Sequence, residues 1–443
     1  RFENYQCERS FNIYKKFIDG YIADFRKFHK KDSVIYDILM PTLHASFMAF
    51  LDAYRAGGDG DLPAAVRAVQ TIGEMIRLDL AFSPHDKAHD LTTVIKDKLL
   101  KNDAVQSVMM APFGMRAYLR VLQASKLSVE GSHRPKIYVT NQNYFEWLLN
   151  LRNLQTEQAD ITHIRQLEDI SKNADYIFAE AHPNNATEKK QFQQNMSNLI
   201  DRMIYEGWDN KQRTLVFDAT LNAFDDQEMR EILDLAKPLI DCGALNIIIM
   251  QSLTKFSQLG LDERSGGLTV VINNGTSWEK LNHNFKQIEE NEPVDHTTLQ
   301  YFSYFFNACQ YFPHDLSLTV QYINAINHRV NFLYAEIMEL MSESRKDNHL
   351  FFKLTSSSDP KSCYLSFNTS TILSFVDPEF KLRSHDIERL NEDIISDIFI
   401  PLCRHYDLPL TARMSIAFPL SSVNVACDSI RLTVGLESYQ ILI

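Results

Sequence analysis

The sequence predicts an α/β protein built on a mostly parallel sheet with helices on both faces, followed by a smaller C-terminal α+β domain. Two observations lead there. Between about residues 104 and 275, short apolar runs alternate with helical stretches, the pattern of repeated βαβ units. From Leu350 onward, four further strand-like runs surround a single helical stretch.

The elements follow in chain order. Residues 1 to about 60 read as helical, because Phe11, Tyr14, Phe17, Ile18, Tyr21, Ile22 and Phe25 recur at helical spacing. Gly57-Gly58-Asp59-Gly60 is a flexible break, and Ala64 to Leu80 reads as another amphipathic helix. Predicted strands then cover 136–140, 176–179, 214–217, 245–250 and 268–272, with helices at 117–127, 144–154 and 226–240. A long helical region runs from about Thr297 to Met341. Strands are predicted at 350–354, 364–367, 413–418 and 430–434, and a helix at 385–406. The expected organisation is a helix-rich segment over 1–103, a large domain over 104–320, and a linking helix with a small domain over 321–443.

Composition narrows the function classes. The chain has 443 residues, is 45% hydrophobic and 23% charged, and so holds ample material for a large core. A net charge of −12 argues against a nucleic-acid partner, since phosphate binding needs clustered Lys and Arg. The short basic groups Arg26-Lys27 and His29-Lys30-Lys31 read as a solvated helix face. The six cysteines are dispersed with no CxxC pair, which excludes zinc spacing and points to a reduced, cytoplasmic protein. No apolar run approaches the roughly 18 to 20 residues of a membrane span, and no secretory signal is visible.

Four features carry chemistry, and they fall outside the carboxyl ends of strands, where such sheets bind ligands. Pro112-Phe113-Gly114-Met115-Arg116 precedes a helix, where backbone N–H groups favour a phosphate. Glu180-Ala181-His182-Pro183-Asn184-Asn185 follows a strand, and an amide there can bond a cofactor hydroxyl or simply make a turn. The strand Thr214 to Phe217 ends in Asp218, and the strand Leu245 to Met250 is followed by Gln251-Ser252-Leu253-Thr254-Lys255-Phe256. A lysine amine can form a Schiff base with a carbonyl cofactor. A carboxylate can pair with the pyridinium nitrogen of pyridoxal phosphate, while hydroxyls hold its phosphate. Far downstream, Arg431 stands in a strand from which a guanidinium can clamp a substrate carboxylate, or make a surface ion pair. Taken singly, Asp218 reads as well as a turn residue and Lys255 as a surface lysine.

Together these residues resemble the Cys/Met-metabolism family of pyridoxal-phosphate enzymes, which includes cystathionine γ-synthase, cystathionine lyases and methionine γ-lyase. The family block S-x-T-K-[YF] is similar to Ser252-Leu253-Thr254-Lys255-Phe256, and its closing R-[LI]-S-x-G-[LI]-E strand to Arg431-Leu432-Thr433-Val434-Gly435-Leu436-Glu437. Its S-G-M-A-A turn resembles Phe113 to Ala117 without the first serine, its D-N-T-F segment resembles Asp218-Ala219-Thr220-Leu221, and its E-x-P-x-N-P segment resembles Glu180 to Asn185. The resemblance covers about 105–275 and 410–438. It implies a fold type I transferase architecture with a seven-stranded type of sheet, pyridoxal 5'-phosphate as cofactor, and a homodimer or homotetramer acting on an amino acid. It further implies a Lys255 aldimine, with Lys255 then moving protons, and Asp218 at the pyridinium nitrogen. Ser252, Thr254, Thr220 and the N–H groups of Gly114 and Met115 would bind the cofactor, Tyr144 would stack on the ring, Asn184 would contact the cofactor hydroxyl and the substrate carboxylate region, and Arg431 would bind the α-carboxylate. The implied reaction is β/γ-elimination or γ-replacement. Transamination, decarboxylation and a non-catalytic binding module stay open as alternatives.

This chain departs from the family pattern at Phe145 and Glu146, which replace two glycines after Tyr144, and at Gly260-Leu261-Asp262, which replaces G-H-x-D. The segment His85-Asp86-Lys87-Ala88-His89-Asp90 has metal-ligand residue types but no third cluster, so no metal is expected. Glu289-Glu290-Asn291-Glu292 reads as a solvated loop, and the aromatic group Tyr301, Phe302, Tyr304, Phe305, Phe306 as core.

Overall fold

The computed structural model describes residues 2–28, 34–56, 70–75, 78–79, 91–128, 134–140, 151, 159–164, 166–180, 189–224, 226–261, 264–310, 316–344, 353–354, 364–368, 384–406, 411–412, 421–426 and 429–434. Two compact units emerge: Ser83–Gln258 with Arg264–Val320, and Arg1–Phe82 with Leu259–Glu263 and Gln321–Ile443.

The first unit is organised by a seven-stranded sheet. Its strands are β1 Val105–Ala111, β2 Lys136–Thr140, β3 Asp160–Ile164, β4 Tyr176–Glu180, β5 Arg213–Asp218, β6 Leu245–Ser252 and β7 Gly267–Ile272, in the spatial order β1-β7-β6-β5-β4-β2-β3. Strands β3, β2, β4, β5 and β6 pair in parallel, and β7 is antiparallel to both β6 and β1, so β7 alone runs against the rest. This is the α/β class that the sequence predicts. The central strands are apolar runs because both sides of the sheet are covered. On one face Phe178, Val216, Ile248 and Val271 pack with Tyr118 and Val121 of the helix Gly114–Ser128 and with Leu281 and Phe285 of the helix Glu279–Asn291. On the other, Ile177, Leu215, Phe217, Ile247 and Ile249 are equally buried, and the helix Gln227–Asp241 packs on β6. Each such side chain contributes about 1.5 to 3 kcal/mol through burial, so the ends of β5 and β6 are held on a rigid base.

The second unit contains a smaller sheet, β8 Lys353–Leu354, β9 Tyr364–Asn368, β10 Thr411–Ala412, β11 Ser422–Ala426 and β12 Ser429–Thr433, ordered β10-β11-β12-β9-β8. The helix Ser384–Ile394 packs on β11 and β12, giving the expected α+β arrangement. The same unit holds the N-terminal helix Phe2–Phe28, whose stripe Tyr14, Phe17, Ile18, Tyr21 and Phe25 is buried as its spacing requires. Tyr14 donates its hydroxyl proton to Leu259 O at 2.9 Å, and Tyr21 to Asp79 at 3.1 Å. Leu259 and Gly260 both adopt positive φ, 53° and 74°, so a non-glycine residue is held in the left-handed region just past the predicted lysine turn. No described helix is long and apolar enough to cross a membrane.

Candidate active site

Parallel pairing aligns the carboxyl ends of β4, β5 and β6. Asp218 stands opposite Glu180 on one side and Met250 on the other. Beyond the strand ends the ladder is continued by bonds that stitch the β5 loop to β6. Ala219 N–H donates to Met250 O at 2.7 Å, and Ser252 N–H donates to the Thr220 hydroxyl at 2.9 Å. The buried amide of Gln251 donates to Ala219 O and Asn222 O at 3.2 and 2.8 Å. Asp218, Thr220 and Ser252 are therefore fixed relative to one another.

Asp218 accepts a 2.8 Å bond from the N–H of Thr220, the turn geometry its short side chain favours. Burial raises its pKa to about 6, against the opposing pull of the Thr220 bonds. One carboxylate oxygen is oriented by Thr220, and the group still ionises at neutral pH.

Ser252 and Thr254 bring their hydroxyls to 3.0 Å of each other. The helix Gly114–Ser128 starts directly against Ser252. A Cβ on Gly114 would lie 2.8 Å from Ser252 Cβ and 3.0 Å from its Oγ, and one on Gly267, the cross-strand partner of Ser252, would lie 2.5 Å from Phe113 O. Only glycines permit this approach. Arg116 and Ala117 N–H both turn to Phe113 O, so Gly114 and Met115 begin the helix with N–H groups outside its own ladder. Two hydroxyls and two amide donors at a helix start form a donor set suited to a phosphate dianion. The residues present fit the cofactor that the motifs imply.

The neighbouring Arg116 is committed elsewhere. It forms a paired bond with Glu292, and Arg120, fully buried on the same helix, bonds Met110 O and Glu292 O. The Arg116 bonds hold the Glu292 carboxyl below its usual range. The expected solvated loop is corrected here: Glu289 to Asn291 close the helix Glu279–Asn291, and Glu292 anchors two arginines.

Lys255 follows Thr254 in a turn between the end of β6 and the short helical turn Phe256–Gln258, and it is half-buried. Leu253 and Phe256 on either side are buried, so the turn is anchored in the core. One residue that the sequence did not single out is Gln258. Its buried amide bonds Leu253 O, Arg264 O, Arg264 N–H and the hydroxyl of Tyr301. Tyr301, Phe302, Phe305 and Phe306 are buried, as expected for core.

The structure thus gathers Gly114, Met115, Asp218, Thr220, Ser252, Thr254 and Lys255 in one unit. Arg431 lies on β12 in the other unit, with its guanidinium 4.9 Å from the Tyr364 ring centroid and no hydrogen-bond partner for its Nε. Tyr144, Asn184 and the segment from His85 to Asp90 lie outside the described residues. Among the described residues, no group of His, Cys, Asp or Glu is placed to hold a metal ion.

The fold is similar to that of a cystathionine gamma synthase of known structure. The chain is similar to cystathionine gamma synthase from Xanthomonas oryzae pv. oryzae in complex with cystathionine, with a TM-score of 0.51 and 13% identity over 81% of this chain and 83% of that one. It is also similar to cystathionine gamma-lyase from Lactobacillus plantarum complexed with L-serine, with a TM-score of 0.49 and 14% identity over 80% and 82%. No family model and no curated protein matches the sequence. The likeness to the first of these establishes the fold.

Proposed function

We propose that the chain is a pyridoxal-phosphate enzyme acting on an amino acid by β/γ-elimination or γ-replacement, as a homo-oligomer. The observation that supports this reading is the close approach of the helix start at Gly114 to Ser252, whose hydroxyl meets that of Thr254, the residue before Lys255. When bound, the cofactor supplies an electron sink for negative charge developing at the substrate α-carbon. The rest falls to the chain's own residues. The cradle hydroxyls and N–H groups bind and orient the phosphate. Asp218, ionised above pH 6, is the anion that keeps a ring nitrogen protonated. Lys255 Nζ would hold the cofactor's carbonyl carbon, and its amine would accept and return the α-proton. Asn184 and Tyr144 complete the cofactor contacts, and Arg431 binds the α-carboxylate bidentately. An elimination or replacement outcome is favoured by the motif resemblance to lyases and γ-synthases.

Replacing Lys255 tests this directly. Purified protein given pyridoxal phosphate should absorb near the visible edge, and borohydride should fix the cofactor to the peptide containing Lys255. Lys255→Ala should lose both signals. A variant that kept the band and the fixed mass would place the chemistry on another lysine. A wild-type protein that stayed colourless would instead make the chain a non-catalytic module. Screening amino acids for released keto acid or ammonia then separates elimination from replacement.

A further inference from the structure

Between β6 and β7 the chain leaves the sheet at Ser252, passes Lys255, and returns at Gly267, the direct partner of Ser252. Leu253 N–H on Gly266 O closes the base of this excursion at 2.9 Å. Its interior is closed by Gln258. The amide nitrogen donates to Leu253 O at 2.8 Å, two residues before Lys255, and to Arg264 O at 2.7 Å. The amide oxygen accepts from Arg264 N–H at 3.1 Å and from the Tyr301 hydroxyl at 2.9 Å. Both donors and both lone pairs of the side chain are used. The orientation is forced: two carbonyls can only accept and one N–H can only donate, so a flipped amide would break three bonds. Neither glutamate nor leucine reproduces the set.

Tyr301 is itself immobilised. It is fully buried, with the rings of Phe302 and Phe305 at 5.3 and 4.7 Å. Its helix, His296–Phe305, is capped by Asp295, which accepts from Thr298 N–H at 2.9 Å. Arg264 reaches the same cap with its side chain, bonding the Thr298 hydroxyl at 2.7 Å and Asp295 at 3.2 Å. A rigid helix therefore fixes Gln258, and Gln258 fixes the backbone on both sides of the lysine.

We propose that Gln258 and Tyr301 are positioning residues that set the Lys255 turn and so the approach of its amine to the cofactor's carbonyl carbon. This rests on the proposed function above. Neither residue touches the reacting atoms. They act by holding Leu253 to Arg264 in one conformation, so that the amine and the phosphate cradle keep a constant separation.

The test uses Gln258→Leu, Tyr301→Phe, and Leu299→Gly as a control that weakens the same helix at an exposed position. In the cofactor-free protein, Gln258→Leu should raise amide exchange across 253–264 roughly tenfold while β4 and β5 stay protected. With pyridoxal phosphate added, the cofactor should still bind through the cradle. The fraction that borohydride fixes to Lys255 should fall roughly tenfold, and the pH midpoint of the visible-edge band should move. Tyr301→Phe, which keeps every core contact of the ring, should move both readouts in the same direction by less. Leu299→Gly should lower Tm and leave both unchanged. The proposal is overturned if Gln258→Leu keeps the fixed fraction and midpoint of wild type, or if Leu299→Gly shifts them as far. Wild-type protein that fixes no cofactor sinks the functional reading and the positioning role together, and is distinguished by that absence.

Discussion

At the scale of single residues, Asp218 holds a charge that the fold disfavours. Burial lifts its pKa to about 6 in the folded state, against about 3.9 in an exposed chain. Below the lower value both states are protonated and the group contributes no pH dependence. Between the two values the folded state binds more protons, so stability falls as pH rises, and above pH 6 the full cost is present, on the order of 2 to 3 kcal/mol as an upper bound. Cofactor-free Asp218→Asn should therefore have a higher urea midpoint than wild type at pH 8 and a similar one at pH 4. The same variant should bind pyridoxal phosphate more weakly, since an amide offers no charge to a ring cation. Wild-type affinity should drop as pH falls through 6, while the variant's affinity should lack that step. Fluorescence titrations across pH 5 to 8, a window that brackets the raised value, decide it: equal affinities with equal pH dependence would remove Asp218 from the cofactor site.

At the scale of elements, what could be read from the sequence depended on where each strand lies in the sheet. Strands β2, β4, β5, β6 and β7 were legible because both faces are covered, which writes them as apolar runs. Strands β1 and β3 were not, and these are the two edges. β3, Asp-Ile-Thr-His-Ile, leaves three of its five residues exposed, and β1 carries Gln106 and Ser107. Edge strands are half solvated, so composition gives little sign of them. The candidate site divides in the same way. Asp218 and Lys255 were legible because they end apolar runs, whereas Gln258 and Tyr301, 43 residues apart, meet only through helix packing. Arg120 is a similar case and carries its own prediction. From the helix Gly114–Ser128 it bonds Met110 O on β1 and Glu292 O beyond the helix Glu279–Asn291, with Glu292 carboxylate 3.5 Å from its Nε. It thus holds the helix that begins the proposed phosphate cradle. Arg120→Leu leaves two carbonyls without a donor and should cost about 2 to 5 kcal/mol, read as a lower urea midpoint. Glu292→Gln, whose side chain is about one-third exposed, should cost less. A variant of Arg120 as stable as wild type would show that the contact is incidental.

At the scale of the whole molecule, the cradle exists only when the sheet is folded. Gly114 follows β1, Ser252 ends β6 and Gly267 starts β7, and the pairing of β1 and β6 on either side of β7 brings them together. A ligand that needs this arrangement binds the folded chain alone and stabilises it by mass action, by about 2.7 kcal/mol at a hundredfold excess over Kd. For a unit of this size that corresponds to a rise in Tm of several degrees. Pyridoxal phosphate should therefore raise Tm with concentration, and pyridoxal, which lacks the phosphate, should raise it much less. The difference between the two ligands isolates the cradle. In Gly114→Ala the new Cβ meets Ser252 Cβ at 2.8 Å and must displace the helix start, so the difference should vanish. Lys255→Ala should keep it, because the phosphate donors are intact. Equal shifts from both ligands in the wild-type protein would mean that Ser252, Thr254 and the helix start do not bind the phosphate, and the cradle would then be a packing contact between β6 and the helix.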